Sequence, residues 1–451
     1  MKQRNSFSSK LGFILAAAGS AVGLGNLWRF PYLAAKYGGG SFLIVYLILA
    51  VTFGFTLAAT EIAIGRKTGK SALYAFESFS KKYKFIGVLT SIVPIIIMPY
   101  YCVIGGWVIK FAWLYLTGNG AQAVQDNYFA GFTSQTAAPI FWLVLFVIAT
   151  TIVILLGVNK GIENFSKVLM PLLIVLSILI SVFVMTRPGS GAGLKYYFIP
   201  DFSRFSVNGF LAALGQLFYS MSLAMGIMIT FGSYLPKDAD IESSVRQIEI
   251  FDSAIAVLAG LMIVPSVFVF SGGSQESLSA GPTLMFITLP KVFNSMVGGN
   301  VLGAAFFVLV LFAALTSAIS LMETVVSIFV EKFHKERKIV TLCVMVYTIL
   351  MALPSSLGFG LLSKIKFNGM SILDMFDFIS NSILMPIVAL LTCLFVGFII
   401  KPKTIIDEIK TSTDHFKNEK FYTVLVKYIS PILLVLILIS SILNSLNIIH
   451  L

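Results

Sequence analysis

Residues 19–26, Gly19-Ser20-Ala21-Val22-Gly23-Leu24-Gly25-Asn26, interrupt the middle of an otherwise apolar run covering 11–36. Each glycine costs a helix about 1 kcal/mol relative to alanine. A broken helix also bares backbone N–H and C=O groups for which lipid has no partners. Such a stretch is compatible with a membrane in two ways. It packs closely on a neighbour through its small residues, or it surrounds a cavity or polar ligand. A second run with the same flaw would favour the second reading.

Ten further apolar runs follow, near 41–65, 86–116, 138–157, 163–186, 208–234, 247–271, 300–330, 339–357, 371–400 and 422–447. Roughly 20 such residues cross a bilayer. The sixth run carries Tyr219-Ser220-Met221-Ser222-Leu223-Ala224-Met225-Gly226 near its middle. Two flawed spans, five apart, fit an inverted repeat whose discontinuous first helices frame a midplane site. Free N–H groups at a break suit an anion and free carbonyls suit a cation. The expected ligand is therefore a zwitterion together with a metal cation. The expected fold is an all-α integral membrane protein of 11 transmembrane helices, a 5+5 inverted repeat with discontinuous helices 1 and 6 plus one additional helix. Residues 1–186 form the first repeat and 208–400 the second, with an extracellular loop at 272–299. Residues 401–451 add a cytoplasmic loop and the last helix. The stretch 274–299, rich in Gly, Ser and Pro, reads as a long surface connection with short helices.

Composition agrees. Of 451 residues, 57% are apolar and only 12% charged, half the charge of an ordinary soluble domain. That excludes a water-soluble enzyme, a disordered chain and a collagen-like repeat. The net charge of +12 would raise nucleic acid for a soluble protein. Here the basic residues gather in alternate loops: with the N-terminus in the cytoplasm, 23 Lys and Arg lie inside and 7 outside. Eleven crossings then put the C-terminus outside. Lys2, Arg4 and Lys10 before Ala16-Ala17-Ala18 mimic a cleavable leader, but the run continues through Trp28 and reads as the first span. Cys102, Cys343 and Cys393 read as buried hydrophobes. His334, His415 and His450 are too scattered for a metal site or a catalytic triad. Asp374 and Asp377, at a helix end, suit a gate better than a hydrolase. An enzyme is not expected.

The stretch AAAGSAVGLGNLWRFPYLAAKYGGGSF (16–42) resembles the signature of the neurotransmitter:sodium symporter family, bacterial amino-acid transporter branch, similar to leucine transporters. GQLFYSMSLAMG (215–226), LFAALTSAISL (311–321) and LDMFDF (373–378) follow in the family's order. The resemblance covers the first ten spans. It implies a sodium-coupled symporter, working by alternating access in a bacterial inner membrane, with two sodium sites beside the substrate. The first would use the Ala21 carbonyl, the Asn26 side chain, Ser220 and Asp252, where many relatives have Asn. The second would use the carbonyls of Gly19, Val22 and Ala313 with the hydroxyls of Thr316 and Ser317. Those hydroxyls have an alternative, bonding back to their own helix.

The resemblance also implies that the substrate carboxylate lies against N–H groups near Leu24 and Gly25 and the Tyr101 hydroxyl. The amino group would meet carbonyls around Ala21 and Tyr219 and the Ser222 hydroxyl. Monoamine carriers of the family have Asp where this chain has Gly23, so the substrate should bring its own carboxylate, as an amino acid does. Its side chain would contact Val22, Ile97, Tyr101, Tyr219, Ser222, Met225, Ser317, Ser320 and Leu321, which suits a hydrophobic or aromatic L-amino acid. Ile97 and Leu321 also read as ordinary bundle core. Arg29 and Asp377 match the family's outer gate under a lid of Tyr101 and Tyr219. Arg4 and Glu331 match the inner pair, with Ser233 and Tyr234 nearby. Gly161 and Pro171 match a spacing associated with unwinding of the fifth helix.

Tyr46, Gln216 and Ser220 match part of the family's chloride site, but Ala256 stands where chloride-dependent members have Ser. With Asp252 and Glu61 able to supply fixed negative charge, chloride is not expected to be required. A proton-coupled or uncoupled carrier of the same fold is the alternative, and a channel a more distant one.

Overall fold

The computed structural model describes residues 6–271, 282–413 and 415–445. These form helices joined by short turns and loops. Two isolated bridges, Gly39 with Pro200 and Phe367 with Met370, are the only extended pairings among the described residues. Nine unbroken helices there are long and apolar enough to cross a membrane: Gly40–Thr68, Lys81–Leu116, Ala137–Leu155, Val158–Met185, Ile241–Phe268, Gly299–Phe333, Arg337–Leu357, Ile372–Ile399 and Glu419–Leu443. A tenth span is a pair, Lys10–Ala21 and Gly25–Lys36, bent by 50°. The remaining expected span, the sixth, consists of Val207–Ser220 and Ile227–Gly232, each too short to cross alone.

The breaks fall where the sequence weakens the helix. After Ala21, Val22 is extended (φ −73°, ψ 96°). The chain then resumes as a wide turn over Gly25–Arg29 that runs on into Phe30–Lys36, with Pro31 inside the continuous stretch. In the sixth span Ser222 and Ala224 adopt positive φ, 52° and 59°. For residues with a Cβ this costs roughly 1–2 kcal/mol each. Part of that cost is offset locally. The Ala224 N–H donates to Glu61 Oε1 at 2.7 Å, and the Leu223 N–H to the Phe218 carbonyl at 3.2 Å.

Small residues let the broken spans nestle among their neighbours. A Cβ on Gly65 of the second span would lie 2.0 Å from the Ile229 carbonyl oxygen, and one on Gly232 would lie 2.4 Å from the Ile62 carbonyl oxygen. The two helices therefore touch backbone to backbone at this crossing. On the outside, the fifth span presents Val168, Leu172, Val175, Leu179 and Val182, between 45% and 59% exposed. An uncovered apolar stripe of that length is what a lipid-facing helix shows.

The connection after the seventh span differs from its expected surface position. Residues 272–281 lie outside the described region. Beyond them, Leu284–Thr288 and Leu289–Asn294 are helical, and Leu284, Met285, Phe286, Leu289, Val292 and Phe293 are buried. Phe286 stacks on Phe129 (5.1 Å between ring centroids) and packs on Phe111 and Phe307. Its apolar residues, diluted by Gly, Ser and Pro upstream, plug the bundle from one end.

Candidate functional site

Asn26, just past the first break, donates through its amide to Ser220 Oγ (2.9 Å) and to Asp252 Oδ1 (2.8 Å). Ser220 Oγ also donates to Asp252 Oδ1 (2.8 Å), and the Tyr46 hydroxyl donates to Asp252 Oδ2 (3.0 Å). All four side chains are buried, and no basic side chain among the described residues pairs with Asp252. A carboxylate taken out of water without a countercharge is costly, so the arrangement favours a cation. Turning the Asn26 amide would bring its oxygen from the Gly23 N–H (3.2 Å) to the same point. Gln216 leans instead on the Gly25 carbonyl at 2.9 Å.

The second expected group gathers a short distance along the first span. Ser317 Oγ lies 3.0 Å from the Ser20 carbonyl oxygen and 3.4 Å from those of both Gly19 and Val22. One hydroxyl proton cannot satisfy three carbonyls, which leaves an electron-rich pocket of hard oxygens. Thr316 abuts Gly19, where a Cβ would come within 3.1 Å of the threonine Cβ. Its hydroxyl bonds back to Phe312 (3.0 Å) and Ala313 (3.1 Å) of its own helix. Among the described residues no three His, Cys, Asp or Glu side chains come together as a metal cage. The donors of the two groups are carbonyl, hydroxyl and amide oxygens and the Asp252 carboxylate.

Between the two groups lies a cavity of about 30 Å³, room for about two waters. Ala21, Leu24, Gly25, Ile97, Tyr101, Tyr219, Ser222, Met225, Ser317 and Leu321 line it, joined by Ser20, Gly23 and Ile227. Val22 and Ser320 are not among the lining residues, and Ser320 Oγ bonds to the Thr316 carbonyl of its own helix (3.0 Å). Ser222 ties the breaks together, donating to the Ser20 carbonyl at 3.0 Å and accepting from Ser20 Oγ at 3.1 Å. The Tyr101 hydroxyl is buried beside Leu24 and Ser317 without a hydrogen bond of ordinary geometry. Gly23 faces both Tyr101 and Ser317: a Cβ there would come within 3.3 Å of the phenol oxygen and 2.7 Å of Ser317 Oγ.

Arg29 and Asp377 are not paired within 4.0 Å. Asp377 accepts instead from Asn381 Nδ2 (2.6 Å) and the Tyr100 hydroxyl (3.1 Å), and the Arg29 guanidinium stands 5.8 Å from the centre of the Tyr219 ring. These two donors bond the carboxylate within the tenth span and from the third. Arg4 lies outside the described residues. Glu331 accepts from the Ser71 N–H (2.7 Å) and pairs with Lys70 (3.1 Å).

At that end of the molecule, Glu323 of the eighth span is fully buried. It accepts from the Tyr234 hydroxyl at 2.8 Å and forms a two-pronged pair with Arg337. Close by, Glu163 gathers Ser8 Oγ (2.6 Å), the Ser8 N–H (2.7 Å), Ser9 Oγ (2.9 Å) and Lys167 (2.7 Å). It does so from the wide turn Val158–Glu163 that contains Gly161. Sequence reasoning missed both acids. The available signal was an ionisable residue within an apolar run, most plainly Glu323, two turns from Thr316.

Comparison with known proteins agrees with this geometry. The family model described as the sodium:neurotransmitter symporter family matches residues 4–129 and 131–449. A sodium-dependent transporter of Haemophilus influenzae is 34% identical over 98% of each chain. The sodium-dependent transporter YhdH of Bacillus subtilis is 33% identical over 97% of each. The crystal structure of MhsT in complex with L-phenylalanine superposes with a TM-score of 0.87 at 37% identity, covering 97% of this chain and all of that one. The chain therefore belongs to the sodium:neurotransmitter symporter family, a membrane-embedded transporter and not an enzyme.

Proposed function

We propose that the protein imports a hydrophobic or aromatic L-amino acid, coupled to sodium, by alternating access between the two broken helices. The observation that carries this reading is the buried Tyr101 hydroxyl facing the first break, which makes no hydrogen bond of ordinary geometry with Leu24 or Ser317 beside it. Leaving such a group unsatisfied costs about 1–3 kcal/mol, which a substrate carboxylate lying against the Leu24 and Gly25 N–H groups would relieve. Gly23 leaves room there for that carboxylate and brings no competing one. The L-phenylalanine in complex with MhsT is an amino acid of the proposed class. Met225, Ile97 and Leu321 line a cavity too small for such a side chain, so loading requires these flexible walls to part.

Two sodium ions are proposed. One sits with Asp252, Asn26, Ser220 and the Ala21 carbonyl, the other with the Gly19, Val22 and Ala313 carbonyls and the Thr316 and Ser317 hydroxyls. Chloride is not needed in this scheme, because the donors that would hold it, Tyr46 and Ser220, already serve the Asp252 carboxylate. Retention of Thr316 and Ser317 favours sodium over a proton-coupled or uncoupled cycle. Residues 1–186 and 208–400 are the two repeats, 401–451 the appended piece. The N-terminus lies in the cytoplasm of a bacterial cell and the C-terminus outside.

The test is uptake of labelled L-phenylalanine, tyrosine, tryptophan and leucine into proteoliposomes, with external sodium replaced by potassium or choline. Uptake of at least one of these should collapse to background without sodium. Uptake indifferent to the swap would refute symport while leaving the fold untouched.

A further inference from the structure

A second cavity, of about 310 Å³, lies far from the breaks, where the third span ends and the fourth begins. Lys110, Tyr128, Phe132, Gln135, Ala138 and Trp142 line it, the short helix Tyr128–Thr133 supplying Tyr128 and Phe132. Lys110 sits six residues before the end of the third span at Leu116, about 9 Å along the axis. That depth is where a bilayer passes from headgroups to hydrocarbon. Aromatic residues with a polar tip, such as Tyr128 and Trp142, belong at the same level.

Lys110 is half-buried, and among the described residues no carboxylate forms an ion pair with it. The nearest acid along the chain, Asp126, is highly exposed and lies at 4.0 Å from Lys291. The Lys110 ammonium instead stands 5.8 Å from the centre of the Trp142 ring. A cation at this depth calls for an anion. What the anion carries follows from the surface below the cavity. Beginning beside Trp142, the fourth span turns Phe141, Leu145, Ile148 and Ile152 outward, each at least 40% exposed. Their steps of four, three and four residues align them in one stripe running away from the cavity mouth.

We propose that this cavity binds the headgroup of an anionic glycerophospholipid, phosphate against Lys110 and acyl chain along the stripe. Cationic groove and apolar track together fit a lipid better than a soluble phosphate, which would use only the first. The site is separate from the amino-acid pocket and stands whether or not the transport reading does.

Native mass spectrometry of the full chain, purified in detergent and offered equal phosphatidylglycerol and phosphatidylcholine, tests it. Wild type should retain one phosphatidylglycerol per chain in preference to phosphatidylcholine. Lys110→Met should lower that retention about fivefold, the usual scale for one basic residue against an anionic lipid, while Lys110→Arg preserves it. Trp142→Leu, which keeps the charge but removes the ring, should lower it as well. Melting temperature and circular dichroism identify any variant that fails to fold, and Lys364→Met, an exposed lysine elsewhere, should retain lipid like wild type. Equal retention of the two lipids, undiminished retention in both Lys110→Met and Trp142→Leu, or release of the lipid by millimolar inorganic phosphate would overturn the proposal.

Discussion

Asp252 joins two roles in one side chain. Its Oδ1 faces Asn26 and Ser220 at the proposed sodium position, while Oδ2 holds the Tyr46 hydroxyl. A neutral amide in its place would keep the shape and lose the charge. Asp252→Asn should therefore depress sodium-driven uptake at least tenfold in chloride-free medium, with partial recovery when chloride is added, because Tyr46 and Ser220 are then free to donate to an anion. Activity that ignores both the substitution and chloride would show that the charge balance lies elsewhere. At this scale much was readable in the sequence. Gly23, Asn26, Ser220 and Ser317 stand out as small or polar residues at apolar depth, and the structure brings them to the two breaks. Asp252 was found only through the resemblance. Its partners come from the first, second and sixth spans, and no spacing along one chain reveals such a meeting.

At the scale of helices, the crossing of the second span over Ile227–Gly232 rests on bare backbone contact. Gly65→Val would drive a side chain into the Ile229 carbonyl, already 2.0 Å from where a Cβ would sit. Overpacking of this kind costs typically 1–3 kcal/mol, and here the obstacle is main chain that cannot rotate away. The variant should melt several degrees lower in detergent and yield less monodisperse protein; an unchanged melting curve would mean the crossing is loose. The spans themselves were legible from hydropathy, and the two discontinuities from glycine and serine clustering. The buried plug at 284–294 was not, because its apolar residues form a short run that reads as an ordinary loop until Phe111, Phe129 and Phe307 close around it. The donors around Asp377 were not legible either: Tyr100 and Asn381 both bond its carboxylate, and only the fold reveals that they do.

For the molecule as a whole, the face with Glu163 and Glu323 is tied shut by bonds that cross between spans. Glu323 joins the eighth span to Tyr234 beyond the sixth and to Arg337 at the start of the ninth. Glu163 anchors the entry to the first span through Ser8 and Ser9. Removing one member of a buried ion pair commonly costs 3–5 kcal/mol, since the other charge is left stranded. Glu323→Gln should thus loosen this face, and a single cysteine at Phe7, placed in a background without Cys102, Cys343 and Cys393, should react with a membrane-impermeant maleimide at least tenfold faster from that side. An identical labelling rate would remove Glu323 from the closure.

The tight central chamber gives this closure a ruler. With space for only about two waters, it meets a small solute without strain, whereas an aromatic ring has to push Met225, Ile97 and Leu321 apart and lean on both severed helices at once. On the proposed reading bulk itself is the signal for movement, and a guest too slight to stretch the walls is held without being carried.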